Sequence, residues 1–219
     1  MRTESKVYWG VAILSVLLLL GTLLVPGDPS RKDDLPWHIE HPTAESVRIF
    51  GLTLGKASAN EAEQRFKEEA KLSLFKDPDG KMIVEAFFEQ VNLAGLRSKV
   101  VLIIDAPEDE LKGMYERGLR MNSTGSGKKI TLIPDDVARL RMFPVSSLAY
   151  MPGVRVEEPL FLKHFGKPAQ IIKETRSGAV HWLYPQDGLD ITLGGDEKPV
   201  LQYVLPKEFD KLAKPLLTN

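Results

Sequence analysis

The chain has 219 residues, no cysteine, and 29 Lys and Arg against 30 Asp and Glu, a net charge of −1. Apolar residues make up 43% and charged residues 27%, which argues against wholesale disorder. Zero cysteines exclude disulfides, thiolate chemistry and Cys-ligated zinc or iron–sulfur sites, and the balanced charge leaves no electrostatic footprint for nucleic acid.

Val7 to Val25 carries no charge and includes Leu17-Leu18-Leu19-Leu20. As a helix it would span roughly 28 Å, against a hydrocarbon core of about 30 Å. Tyr8 and Trp9 suit a headgroup interface. Arg2, Lys6 and the amino terminus precede the run and favour N-in, C-out. A cleaved signal peptide is the competing reading, but the run exceeds the usual apolar core and its exit lacks a pair of small residues. A lipid anchor is excluded because there is no cysteine. The expected organisation is therefore residues 1–6 cytoplasmic, 7–25 a transmembrane signal anchor, and 26–46 a Pro-rich linker with Pro26, Pro29, Pro36 and Pro42. This describes a single-pass protein of the inner (cytoplasmic) membrane. Its C-terminal domain is periplasmic or extracytoplasmic, and the lipid bilayer is its first partner.

Ser58-Ala59-Asn60-Glu61 has the form of a capping box. Ala59, Ala62, Phe66 and Ala70 then mark one helix face. Asp77-Pro78-Asp79-Gly80 is a turn. Strands are predicted over Met82–Val91 and Lys99–Asp105, the second carrying Val100-Val101-Leu102-Ile103-Ile104. Pro107-Glu108-Asp109-Glu110 opens a helix running to about Met121, with acids where the macrodipole favours them. Asn122–Lys129 reads as a loop, Lys129–Ile133 as a short strand, and Pro134-Asp135-Asp136 as the start of a short helix to about Arg141.

Glu158-Pro159 opens a helix with an apolar face of Leu160, Phe161 and Phe165, ended by Gly166-Lys167-Pro168. Three strands follow: Ala179–Tyr184, Leu189–Leu193 and Val200–Leu205. Asp187-Gly188 and Gly194-Gly195-Asp196 supply the turns of an antiparallel meander. Both halves repeat the order helix, turn, strands, proline, acidic helix start. A slide of 99 residues superposes Phe66 on Phe165, Gly95 on Gly194 and Pro107 on Pro206. The predicted fold class is α+β, a transmembrane helix followed by two helix-plus-antiparallel-sheet units in the manner of a tandem duplication. The first unit covers 47–122, a connecting loop, strand and short helix 123–155, and the second unit 156–219.

Phe165-Gly166-Lys167-Pro168, with Val180–Tyr184, Leu189–Leu193 and Val200–Val204, resembles the small α/β module of the SmpA/BamE outer-membrane assembly lipoproteins. Tandem copies of a similar unit occur in the β-lactamase inhibitory protein family. The likeness covers about 50 residues of the C-terminal unit and is fainter over 52–105. A departure is the missing lipidation cysteine. The resemblance implies a non-catalytic binding or scaffolding module of a bacterial envelope.

Asn122 to Lys129 lacks both the first glycine and the final hydroxyl of a phosphate loop. His38 and His41 flank Glu40 without the spacing of a zinc helix. His164 sits where a helix C-terminus favours a cation, and His181 alternates opposite Trp182, on the outer face of its strand. Asp33-Asp34, Asp135-Asp136 and Glu157-Glu158 are adjacent pairs that do not share a face, unlike glycosidase carboxylates. There is no G-x-S-x-G elbow. No catalytic, metal or cofactor residue is assigned.

The candidate partner surface is the aromatic stripe Trp182, Tyr184 and Tyr203 with His181, since Trp and Tyr are enriched at interface hot spots. Core packing is its competing explanation. The expected function is a binding or scaffolding protein of the cell envelope that meets another envelope protein and no nucleic acid. An envelope enzyme built from distant loops, or a secreted inhibitor-like protein, are the alternatives.

Overall fold

A computed structural model describes residues 31–125, 127–175, 177–194 and 197–217. Within them the chain opens on a 3-10 turn, Lys32–Asp34, and a small hairpin of β1 (Arg48–Ile49) and β2 (Leu52–Thr53). Phe50 turns this hairpin with a positive φ of 51°. Its ring is fully buried, 5.0 Å from Tyr150 and 6.3 Å from Tyr203 between centroids. Packing over-determines a backbone conformation that would be costly in isolation.

Helix α1 (Ala59–Phe66) starts at the expected capping box. Ser58 Oγ accepts from Glu61 N at 3.2 Å, and Glu61 Oε2 accepts from Ser58 N at 2.7 Å. The chain continues through β3 (Lys71–Lys76), β4 (Met82–Leu93), β5 (Leu96–Ile104), α2 (Glu108–Glu116), β6 (Arg120–Thr124), β7 (Gly127–Thr131), α3 (Pro134–Leu140) and β8 (Val145–Pro152). Then come α4 (Glu158–Phe165), β9 (Gln170–Lys173), β10 (Val180–Tyr184), β11 (Leu189–Leu193), β12 (Val200–Val204) and α5 (Phe209–Leu217).

Ten strands form one antiparallel sheet in the order β6-β7-β3-β4-β5-β8-β12-β11-β10-β9. Gly188 makes the β10–β11 corner at φ 61°; a Cβ there would stand 2.0 Å from Val204 O, so the approach of the two backbones requires glycine.

Strand register divides the sheet into two faces, because cross-strand partners and alternate residues point the same way. One face carries Ala86, Leu102, Leu148, Tyr203, Leu189 and Tyr184 in one row across six strands. The next row is Phe88, Val100, Tyr150, Leu201, Ile191 and Trp182. All twelve are buried in the main core, where they meet Ala62 and Phe66 of α1, Leu111 and Met114 of α2, Leu140 of α3 and Phe161 of α4. On the opposite face α5 buries Phe209 and Ala213 against Leu183 and Val204, a second small cluster at the C-terminal end.

Three expectations are corrected by this structure. The fold is α+β, but the two separate helix-plus-sheet units are one continuous sheet. Lys32–Asn219 is a single compact unit, and β8, inside the stretch read as a connection, hydrogen-bonds to β5 on one side and β12 on the other. Its Ser146-Ser147 pair interrupts the apolar pattern and hides the alternation of Leu148 and Tyr150. Secondly, the expected loop at Asn122–Lys129 is largely the hairpin of β6 and β7.

Thirdly, no helix among the described residues is long and apolar enough to cross a membrane. The transmembrane, signal-anchor and single-pass reading finds no support there. The longest helices among the described residues have 9 residues, about 14 Å of rise against a core of about 30 Å. The expected span Val7 to Val25 lies outside the described residues.

Candidate functional site: the open face of the sheet

The four residues proposed as a partner surface are between 0 and 8% exposed, so they present no surface and that assignment is corrected. Trp182, Tyr184 and Tyr203 lie on the helix-covered face. The two tyrosine hydroxyls are satisfied internally: Tyr184 OH donates to Gly166 O at 3.0 Å, and Tyr203 OH donates to Pro36 O at 2.6 Å. Complete burial pushes the Tyr203 hydroxyl well above the usual tyrosine range.

His181 does alternate to the opposite face, as its register requires, but it is buried there. Its Nδ1 stands 2.8 Å from Asp190 Oδ2 and 3.3 Å from Thr192 Oγ1. Asp190 Oδ1 is buried with no hydrogen-bond partner among the described residues. Burial raises the Asp190 carboxyl above the usual aspartate range, opposed by the contact with His181. A His–Asp pair is a component of acid–base catalysis. The clefts described below are not lined by it.

The other histidines have structural partners. Trp37 stacks on His164 with centroids 3.9 Å apart, and His41 Nε2 lies 3.1 Å from Asp187 Oδ1. These contacts, with Asp34 at 2.5 Å from Arg65, hold residues 34–41 against the body rather than leaving them an extended spacer. His38 Nε2 lies 3.6 Å from Asp33 Oδ1 and 3.4 Å from Glu40 Oε1. These three could offer ligand atoms to a cation, but Arg48 stands 3.5 Å from Glu40 and already supplies the counter-charge.

The feature that remains is the face of β3, β4, β5 and β8 turned away from the helices. Lys71, Phe87, Val101, Ala149 and Gln202 form one row across it, and Ser73, Glu85, Ile103, Ser147 and Val204 the next. Phe75 and Ile83 pair above these rows, and Met151 stands beside Lys99 below them. Phe75, Ile83, Phe87, Val101, Ile103, Ala149 and Met151 are all partly exposed. None belongs to either buried core, and α5 reaches only the C-terminal strands of this face.

At one margin a cleft of about 700 Å³ opens between Lys99, Met151, Val200 and the Lys198 loop. At another, Phe75, Ile83 and Glu85 line a hollow of about 260 Å³. Glu85 sits half-buried among these apolar groups, and desolvation raises its carboxyl above the usual range against the opposing field of Lys129. A separate apolar cleft of about 330 Å³ lies on the covered side, between Trp37, Leu96, Val154 and Leu160.

None of these open-face positions stands out in a search for catalytic motifs. The signal that marks them is continuity. Phe87-Phe88, Val100 to Ile104 and Leu148 to Met151 are apolar without a break. An antiparallel strand with one solvated face alternates; an unbroken apolar strand has something to meet on both sides. Among the described residues, helices cover only one side of β3, β4, β5 and β8. Comparison with protein-family models, with curated proteins and with solved structures finds no match.

Proposed function

We propose that residues 32–217 form a non-catalytic binding or scaffolding domain that docks a protein partner on the open face of β3, β4, β5 and β8. The observation that carries this reading is a set of strands with large apolar side chains on both faces and, among the described residues, a helical cover on only one. Phe75 and Phe87 supply aromatic area, the residue class that dominates interface hot spots. The fully hydrogen-bonded sheet beneath them is rigid, so little ordering entropy is lost on docking. A place in the cell envelope is part of the proposal and rests on the resemblance of the C-terminal strands to envelope modules.

A photo-crosslinking side chain at Val101 in the full chain, compared with one at Leu162 on exposed α4, tests the reading in cells that make the protein. Adducts from Val101 that disappear in a Phe87→Asp background are expected. Adducts from Leu162 alone would sink the proposal, as would substrate turnover by purified protein that the Phe87→Asp change leaves intact.

A further inference from the structure

The register that exposes the apolar rows also places charges around them, and the distribution is one-sided. Lys71 on β3, Arg97 and Lys99 on β5, Arg120 on β6 and Lys129 on β7 all belong to the open face. Against these five cations the same strands place two carboxylates, Glu85 and Glu89. Glu89 is held by Lys71 at 2.6 Å. Glu85 is half-buried and in the field of Lys129. Arg97, Lys99, Arg120 and Lys129 are exposed and enter no ion pair among the described residues. The whole chain has a net charge of −1, whereas these strands place a formal excess of three positive charges on the open face.

Resting on the binding role proposed above, we infer that the open face recognises an acidic protein surface, one that sets apolar side chains among Asp and Glu. The apolar anchors would seat between the rows at Phe87, Val101 and Ile103, while carboxylates meet the cations that border them. Lys129 sets its Nζ 5.4 Å from the centre of the Phe75 ring; exposed cations outside ion pairs lose little by accepting such partners, and complementary charge steers encounter and sets register more than it adds raw affinity. An anionic bilayer has the same charge but not the same shape requirement. Interfacial insertion sinks apolar groups about 5–10 Å into the lipid. Here the apolar side chains are half-buried in a sheet, level with their neighbours, and suit contact with a second folded or extended chain.

A random peptide library selected on the immobilised full chain provides the probe. Selected peptides should be enriched in Asp and Glu together with Leu, Phe or Trp. Their affinity should fall about tenfold or more in the double variant Lys99→Glu/Lys129→Glu, and again when salt is raised to shorten the screening length. The inference is overturned by selected peptides without acidic excess, or by binding that survives charge reversal while still vanishing in Phe87→Asp. In both of these the docking face stands and only its charge preference falls. Binding indifferent to Phe87→Asp as well would remove the docking face itself. Phosphatidylglycerol vesicles captured in a charge-reversal-sensitive manner, with no peptide selected, would assign the face to a membrane and overturn the inference too.

Discussion

Phe87 and Phe88 are neighbours in sequence and identical in chemistry, yet they stand on opposite sides of the same sheet. Phe88 is fully buried and meets Phe66 of α1 edge-on at 5.1 Å. Phe87 lies between Lys71 and Val101 on the open side and keeps part of its ring in water. Both faces carry large apolar side chains, but the open rows also hold Lys71, Ser73, Glu85, Ser147 and Gln202, and among the described residues a layer of helices covers only the other face of these strands. Burial against helices converts apolar area into stability. The same area left uncovered is available to a partner, which is why exposed apolar patches mark interaction sites.

Substitutions that treat the two faces alike should therefore have unlike effects. Phe88→Ala is expected to cost about 3–5 kcal/mol, the range for emptying a packed aromatic site, read as a shift in the urea midpoint. Tyr203→Phe should cost about 1–2 kcal/mol, because Pro36 O is left without its buried donor. It should also raise proteolysis of the segment around Trp37. Ser58→Ala removes the cap of α1 on the covered side and should cost about 1 kcal/mol in the same titration. Phe87→Ala should cost below about 1 kcal/mol while abolishing partner crosslinking. A loss of stability as large as that of Phe88→Ala would show that the open face is core after all.

The smallest effect concerns the buried pair His181 and Asp190. Burial raises the Asp190 carboxyl above its ordinary value of 3.8, so between these two values the folded chain holds a proton that the unfolded chain has released. The contribution of this group to stability rises as pH falls through that interval and is lost as pH rises through it. Asp190→Asn removes the titration. The difference in urea midpoint between wild type and variant should shift toward wild type on acidification. A difference independent of pH would show that the carboxyl is not raised.

Local signals were legible where local physics decides. The Ser58–Glu61 capping box, the acid-rich starts of α2 and α3, and the three C-terminal strands all form where their residues indicate. The common face of Trp182, Tyr184, Leu189, Ile191, Leu201 and Tyr203 follows from a period of two and is present as expected. Its meaning was not legible, because an aromatic stripe reads identically whether a helix or a partner covers it. Among the short strands that escaped notice are β3 and β9: Lys71-Leu72-Ser73-Leu74 alternates over too few residues, and Gln170–Lys173 has only four residues with charge and polarity at both ends. The strand β8 escaped because its serines break the pattern. Its absence split one sheet into two units.

Sequence by itself determined the balanced charge, the absence of thiol chemistry, the caps and turns, and the alternation that sorts each strand into two faces. These depend on residues within a few positions of one another. Tertiary structure alone decided that β8 welds the two halves, that Trp182, Tyr184, Tyr203 and His181 are interior, and that Phe87, Val101 and Ile103 are left in view. Those outcomes depend on which layer of helices reaches which side of the sheet. A strand apolar on both faces specifies that both will be used, and only the packing of distant segments chooses the one that stays open.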